Sequence, residues 1–317
     1  MNEKEKKNQE YLNSILSNDS KTTKSPIPKE KPKTIESEVP NLEYTAISLD
    51  ILPAARYYKT GTKISIRAAK VSEIQAYSMV DDNNYVDITE KMNELLSRCV
   101  LFTNPDGTKG SYRNIKDSDR VFLIFMIREL TFQGGNTLTK EVTCPSCDHV
   151  FNIPFRSTPS NTVPTTFELY EPSEEIEDFW DKSSKTYQLI DNDVSWKLAP
   201  PTIGIQEDFY EEIKRLIGDN KKPDIAFMKI MPYLLYEKES ISEKELKSKL
   251  KEFKEMDDME LFQALNEIVD KMTMGIKGLK MKCPECGQEV HTELSFPGGA
   301  STLFKIPDIL SRFRKRN

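Results

Sequence analysis

The spacing of apolar residues along this chain switches between two periods, and each switch marks an element. Beyond Cys147 they recur at Phe151, Ile153 and Phe155; beyond Cys286 they recur at Val290, Leu294 and Phe296. Val142 and Met281 stand two residues before the first cysteine of each pair. Even spacing of this kind lays one face of a strand on a core. EVTCPSCDHVFNIPF (141–155) and KMKCPECGQEVHTELSF (280–296) are therefore both predicted to run strand, tight turn, strand.

Helical spacing occupies the stretches between. It predicts helices over roughly 87–100 and 118–132, and then over 206–217, 223–236, 243–254 and 257–273. Leu261, Leu265, Ile268 and Met272 form one stripe of the last helix. The run from Val121 to Ile127 is apolar almost all round, which predicts the more buried of these two helices. Both of these helices follow acidic residues, in DSDR and DDME, where a carboxylate is expected to cap the first turn.

One plan runs through the body twice. SIRAAKVSEIQAY (65–77) and KLAPPTIGIQEDFY (197–210) each pass from a short strand through small residues into a helix carrying Ile-Gln. The turns use Ala68 and Ala69 in one case, and Ala199, Pro200 and Pro201 in the other. Helices follow, and a cysteine knuckle closes each copy. The expected fold class is α+β: two pseudo-repeated halves of strand, helices and knuckle, 43–156 and 166–297. The Ser/Thr/Pro-rich 157–165 is the linker between them. TFELYEPSEE and KTYQLIDNDVSWKL read as strands opening the second half.

The ends read differently. Residues 1–42 carry eight lysines and seven acids with few large apolar residues, too little to offset chain entropy, and are expected to be a flexible charged tail. Within it only YLNSIL (11–16) could form a helical turn on a partner. Residues 298–317 form a basic C-terminal segment. Its KIPDILSRFRKRN reads either as an amphipathic helix that docks on an acidic protein surface or touches nucleic acid, or as an ordinary terminal helix with cations near its C-terminal dipole.

Composition narrows the class. The 317 residues carry a net charge of −6 with 30% charged residues, unlike a polybasic nucleic-acid binder. The mean hydropathy of −0.57 agrees. No apolar run approaches a membrane span, and MNEKEKKNQE lacks the apolar core of a secretory signal, so a reducing cytoplasm is expected.

Cysteine usage supplies the chemistry. Four of the five cysteines sit in two CxxC pairs, which in a reducing compartment points to metal before disulfides. Each turn aims two sulfurs at one point, and two facing knuckles complete a tetrahedron. Cys144, Cys147, Cys283 and Cys286 are thus expected to form one four-cysteine zinc ribbon around a single structural zinc ion. A redox CxxC, an iron–sulfur cluster and knuckles pairing between chains stay open as alternatives. His149 could join a CxxCxH ligand set, but Gln288 holds the equivalent place in the second knuckle. His149 and His291 are expected on strand surfaces, and Cys99, in TEKMNELLSRCVLF, as a core thiol.

No catalytic constellation emerges. GTKGS at 107–111 lacks the strand–loop–helix setting of a phosphate loop, and neither GxSxG nor HExxH occurs. EPSEEIEDFWD and DDNN read as solvated faces. No enzyme activity, small-molecule substrate or membrane contact is expected.

LDILPAARYYKTGTKISIRAAKVSEIQAY resembles the opening of the T-even-type phage baseplate hub proteins. The resemblance rests on Pro53, Tyr57 and Tyr58, Gly61, and the strand Ile64–Arg67, followed by a helix. VFLIFMIREL, the turn at Gly134 and Gly135, and the CPxC knuckle extend it over roughly 48–155. Ala68-Ala69-Lys70 departs from the Pro-Leu-Thr-type turn more usual there. The resemblance implies a hub subunit or hub assembly protein of a contractile tail. Its partners would be other baseplate and tail proteins, in the host bacterial cytoplasm or the virion tail, and it carries no catalytic residues over. Contact surfaces expected on this reading are the N-terminal tail, Tyr57–Tyr58, FPGGASTLF (296–304) and the basic C-terminus. The alternative is a zinc-ribbon nucleic-acid-binding or transcription-associated protein. The charges around the knuckles are mixed and the total is acidic, so nucleic acid is not the expected partner.

Overall fold

The computed structural model describes residues 43–132, 137–158, 164–191, 193–255, 258–295 and 299–305. Four strands open the body: β1 (Thr45–Ala46), β2 (Lys63–Ile66), β3 (Val100–Thr103) and β4 (Lys109–Gly110). They form one antiparallel sheet in that order. On β2 the alternation sends Ile64 and Ile66 into the core.

Arg67 follows β2 and fixes the turn there. Its guanidinium donates to both Glu73 oxygens, at 2.9 and 2.7 Å, and to the carbonyls of Ala68 and Arg98. The turn leads into α1 (Val71–Tyr77). Helix α2 (Tyr85–Cys99) starts under Asn84, whose side chain accepts from the Val86 amide at 3.0 Å. Helix α3 (Arg120–Thr131) buries every residue from Phe122 to Ile127, as its uniform apolarity predicts.

The expected cap of α3 is absent. Asp119 turns its carboxylate away from the helix and accepts from the Ala54 amide and the Tyr58 hydroxyl, each at 2.7 Å. A capping side chain must face its own first turn, and here the entry segment 52–58 competes for it. Asp258 does cap its helix, accepting from the Leu261 amide at 2.9 Å.

Strands β5 (Thr139–Thr143) and β6 (Val150–Pro154) form the first knuckle hairpin, with Val142 opposite Phe151. Next come β7 (Phe167–Leu169), β8 (Trp180–Asp181), β9 (Thr186–Asp191) and β10 (Val194–Leu198). The last three make a sheet ordered β10-β9-β8. Helices α4 (Ile203–Gly218), α5 (Ile225–Leu234), α6 (Glu243–Lys254) and α7 (Met259–Lys271) follow. On α7 the stripe of Leu261, Leu265 and Ile268 is buried, together with Met272 just beyond it. Strands β11 (Ile276–Lys282) and β12 (Glu289–Glu293) form the second knuckle hairpin, and β7 adds to its far edge in the order β12-β11-β7.

Residues before and after 157–165 contribute to one hydrophobic core. They also meet through backbone. Ile203 donates to the Ile115 carbonyl at 2.8 Å, and Asp117 to Pro201 at 3.0 Å. Lys116 reaches across this seam, donating its ammonium to the carbonyls of Pro200 (3.0 Å) and Tyr236 (2.9 Å).

One expected contact surface proves to be interior, and the described part of a second is partly so. Tyr57 and Tyr58 are 5% and 4% exposed. Tyr58 is held by Asp119, and Tyr57 packs edge-on to Trp180 with ring centres 5.3 Å apart. A large ring contributes most when desolvated, so aromatic residues in an entry segment fill the core. Of FPGGASTLF, the described residues 299–304 make a short 3-10 turn around Ala300–Thr302. Ala300, Leu303 and Phe304 are buried, and Phe304 lies against Tyr77 with ring centres 5.1 Å apart. The tail 1–42, Gly134–Gly135, most of the linker and 306–317 lie outside the described residues.

Candidate metal centre

The two knuckles have the same local build. In the first, Cys144 donates its amide to the His149 carbonyl at 2.9 Å, and Asp148 donates back to the Cys144 carbonyl at 3.0 Å. In the second, Cys283 donates to Gln288 at 2.8 Å and Gly287 to Cys283 at 2.9 Å. The residue after the second cysteine takes a positive φ in both, 56° at Asp148 and 75° at Gly287. Glycine and aspartate are among the residues that tolerate this left-handed turn.

The hairpins bring the four sulfurs together. Cys144 Sγ lies 3.6 Å from Cys286 Sγ, and Cys147 Sγ lies 3.8 Å from Cys283 Sγ. All four lie within 4.8 Å of one another. A metal bonded at about 2.3 Å to four thiolates in a tetrahedron sets them about 3.8 Å apart. The set could therefore hold one metal ion. Cys144 and Cys283 are buried, while Cys147 and Cys286 face solvent. Lys140 on β5 adds a tie between the hairpins, donating its ammonium to the Glu293 carbonyl at 2.6 Å.

The four thiols act on one another electrostatically. The Ser146 amide, followed by that of Cys147 and the neighbouring thiols, draws the Cys144 thiol down to about 7. At Cys147 the His149 amide also pulls downward. The crowding sulfurs of Cys286, Cys144 and Cys283 outweigh it and push that thiol up to about 12. One thiolate suppresses the next, and a positive ion among them would relieve that repulsion.

The histidines stay out of this set. His291 is exposed on β12, with Nδ1 2.8 Å from Glu168 Oε2. His149 stacks on Phe151 in the loop ahead of β6, not on a strand. Cys99 is fully buried beside Glu73, and burial pushes its thiol up to about 12. Sequence reading did not anticipate that the Ser146 and Cys147 amides serve the site. CxxC spacing was the available signal, since its turn points successive amides at the first sulfur.

The seam beside the Ile115–Ile203 backbone bond holds two further perturbed groups. Burial raises Asp119 to about 7 despite its two donors. Burial likewise lowers Lys116 to about 8. Both have their hydrogen-bond partners inside the protein, so they read as part of the packing.

Fold and site together describe an α+β protein with a four-cysteine cluster able to hold a metal ion, and with no described helix long and apolar enough to cross a membrane. Residues 54–304 match the family described as T4 bacteriophage base plate protein. The chain belongs to that family, and the matched region takes in both cysteine pairs. No curated protein and no solved structure matches the chain.

Proposed function

We propose that this chain is a structural or chaperone-like assembly protein of a contractile-tail phage baseplate hub, held together by one structural zinc on Cys144, Cys147, Cys283 and Cys286. The observation that carries the reading is the family match over residues 54–304. Four cysteine sulfurs complete a tetrahedral shell and leave no position for a reacting water, so the ion acts on folding and not on catalysis. Thiolate softness favours zinc over magnesium, calcium or manganese. No enzymatic role is assigned. The partners are other baseplate or tail hub proteins, met in the host cytoplasm or in the virion tail.

The architecture is proposed as two copies of one plan, 43–156 and 166–297, each ending in its knuckle. Three features support this: the matching strand–turn–helix entries at β2–α1 and β10–α4, the matching knuckle hydrogen bonds, and the closing helices α3 and α7. On this reading the zinc joins copy to copy.

Affinity purification from infected cells, with metal analysis of the eluate, tests the proposal. Recovery with baseplate proteins and about one zinc per chain is expected. Recovery with polymerase or nucleic acid instead would replace the hub reading with a zinc-ribbon nucleic-acid role.

A further inference from the structure

A groove of about 470 Å³ opens beside β10. Trp196 walls it from the strand, Met231, Leu234 and Leu235 from the end of α5, and Phe253 from α6. The Trp196 and Phe253 rings stand 6.4 Å apart. Most of this lining is apolar, in a place that solvent reaches.

β10 is also the edge of its sheet, and its outer backbone is open. Peptide groups point alternately to the two sides of an antiparallel strand. The Ala199 amide points away from β9, since it donates to the Tyr233 carbonyl at 3.2 Å. By alternation the Ser195 and Lys197 amides and carbonyls point the same way. No backbone partner meets them there among the described residues. Both residues are exposed, and both line the groove. Such an edge is a template for a further strand.

Side chains alternate as well. Val194, Trp196 and Leu198 share the face that packs on the helices, and Ser195 and Lys197 share the other. Val194 is 53% exposed and carries the apolar strip toward the turn before β10. The charges at the rim mostly cancel. Lys249 pairs with Glu252 at 3.0 Å, Lys238 with Glu245, and Glu237 with Lys59 at 2.9 Å. Lys197 is the rim charge that has no ion pair among the described residues. The edge therefore asks for backbone donors and acceptors, for apolar side chains at alternate positions, and for a carboxylate opposite Lys197.

A second copy of this chain does not fit there. The Tyr233 carbonyl meets the edge at Ala199, so the end of α5 stands beyond it. Two β10 edges joined about a two-fold axis would drive the α5 of each copy into the other. A single extended segment meets no such obstacle.

We propose that β10 takes up an extended segment of a partner protein, added antiparallel to its outer edge. The segment lays alternate apolar side chains in the groove beside Trp196 and sets an acidic side chain opposite Lys197. Its backbone exchanges hydrogen bonds with Ser195 and Lys197. The assignment rests neither on the metal nor on the role in the baseplate.

The test uses the full chain and a fluorescent synthetic peptide, Gly-Ser-Val-Glu-Leu-Glu-Val-Ser-Gly, followed by anisotropy. In the proposed register its leucine faces Trp196 and its two glutamates face Ser195 and Lys197. Methylating both glutamate amides removes two hydrogen bonds and keeps every side chain, so it is expected to weaken binding by about tenfold. Replacing both glutamates by lysine is expected to weaken it about threefold, and Lys197→Glu to invert that preference. Lys197 is exposed, so the variant keeps the fold. Hydrogen exchange of residues 194–198 is expected to slow when the peptide is bound. No binding at about 1 mM peptide would overturn the proposal. So would equal binding of the methylated peptide, a glutamate preference that survives Lys197→Glu, or slowed exchange only at another strand. A dimer of the chain that the peptide dissociates would assign the edge to a second copy and overturn it as well.

Discussion

The Cys144 and Cys286 sulfurs stand 3.6 Å apart although 142 positions separate them in the chain. The first follows β5 and the second precedes β12, so a bound ion would tie two hairpins whose strands are otherwise paired within themselves or with β7. Any metal held there closes a very long loop, and metal-binding energy then becomes folding energy.

One zinc per chain is expected by elemental analysis of the purified protein. Cys144→Ser or Cys283→Ser, at the buried positions, is expected to remove the metal and to destabilise the fold by about 4 kcal/mol or more. The segments on either side of 157–165 should nevertheless stay associated after chelation, because the Ile115–Ile203 and Asp117–Pro201 backbone bonds do not involve the metal. A melting temperature unchanged by stoichiometric metal removal would argue against a structural ion.

Arg67→Ala is expected to cost about 3–5 kcal/mol in urea unfolding, since it leaves the buried Glu73 carboxylate without its cation. The Arg67 hydrogen bonds hold Glu73 down to about 2 from its ordinary 4.5. A depressed carboxylate contributes stability above its unfolded pKa and loses it as pH falls. The wild-type advantage should therefore be full above pH 4.5 and fade toward pH 2. An advantage independent of pH over that range would contradict the assignment.

Asp119 shifts the other way. Burial raises it from 3.8 to about 7, so between those values the folded chain keeps a proton that the unfolded chain has released. Its contribution is full below pH 3.8 and is lost as pH rises through about 7. Asp119→Asn removes the titration. Unfolding curves at pH 5 and pH 7.5 should show the wild type losing a few kcal/mol more than the variant across that interval. Lys116, lowered to about 8, remains largely charged in both states below that pH and does not mask the comparison. Parallel pH profiles for the two proteins would rule the assignment out.

Gly204→Ala gives a test by sign. In an ordinary helix interior the change stabilises by about 1 kcal/mol. At Gly204 an added Cβ would stand 1.9 Å from the Glu239 carbonyl oxygen and 2.8 Å from Arg113 Nε. The start of α4 must move away from the segment after α5, so destabilisation of about 1–3 kcal/mol is expected. Stabilisation in a denaturant titration would mean that the close approach is absent.

Much of this molecule was legible from its residues. Helices α2 to α7 lie close to their expected spans because apolar spacing and turn residues act locally. The meeting of the four cysteines was legible because each CxxC pair lies between two strand patterns, which calls for a tight turn. The roles of Tyr57, Tyr58 and Asp119 were not. Rings before a turn and an acid before a helix read as a docking face and a cap, and both readings failed. What Asp119 caps depends on the entry segment 52–58, whose backbone lies more than sixty positions upstream.

The amino-acid sequence by itself determined the helices, the knuckles and the four sulfurs, since each depends on neighbours within a few residues. Only the tertiary structure decided the seam at Lys116, the pairing of β7 with β11, the burial of the aromatic entry and the groove beside β10. Each of these joins segments far apart in the chain. Long-range pairing is selected by desolvation and by the pairing of buried polar groups, and neither leaves a periodic trace in the residues that meet.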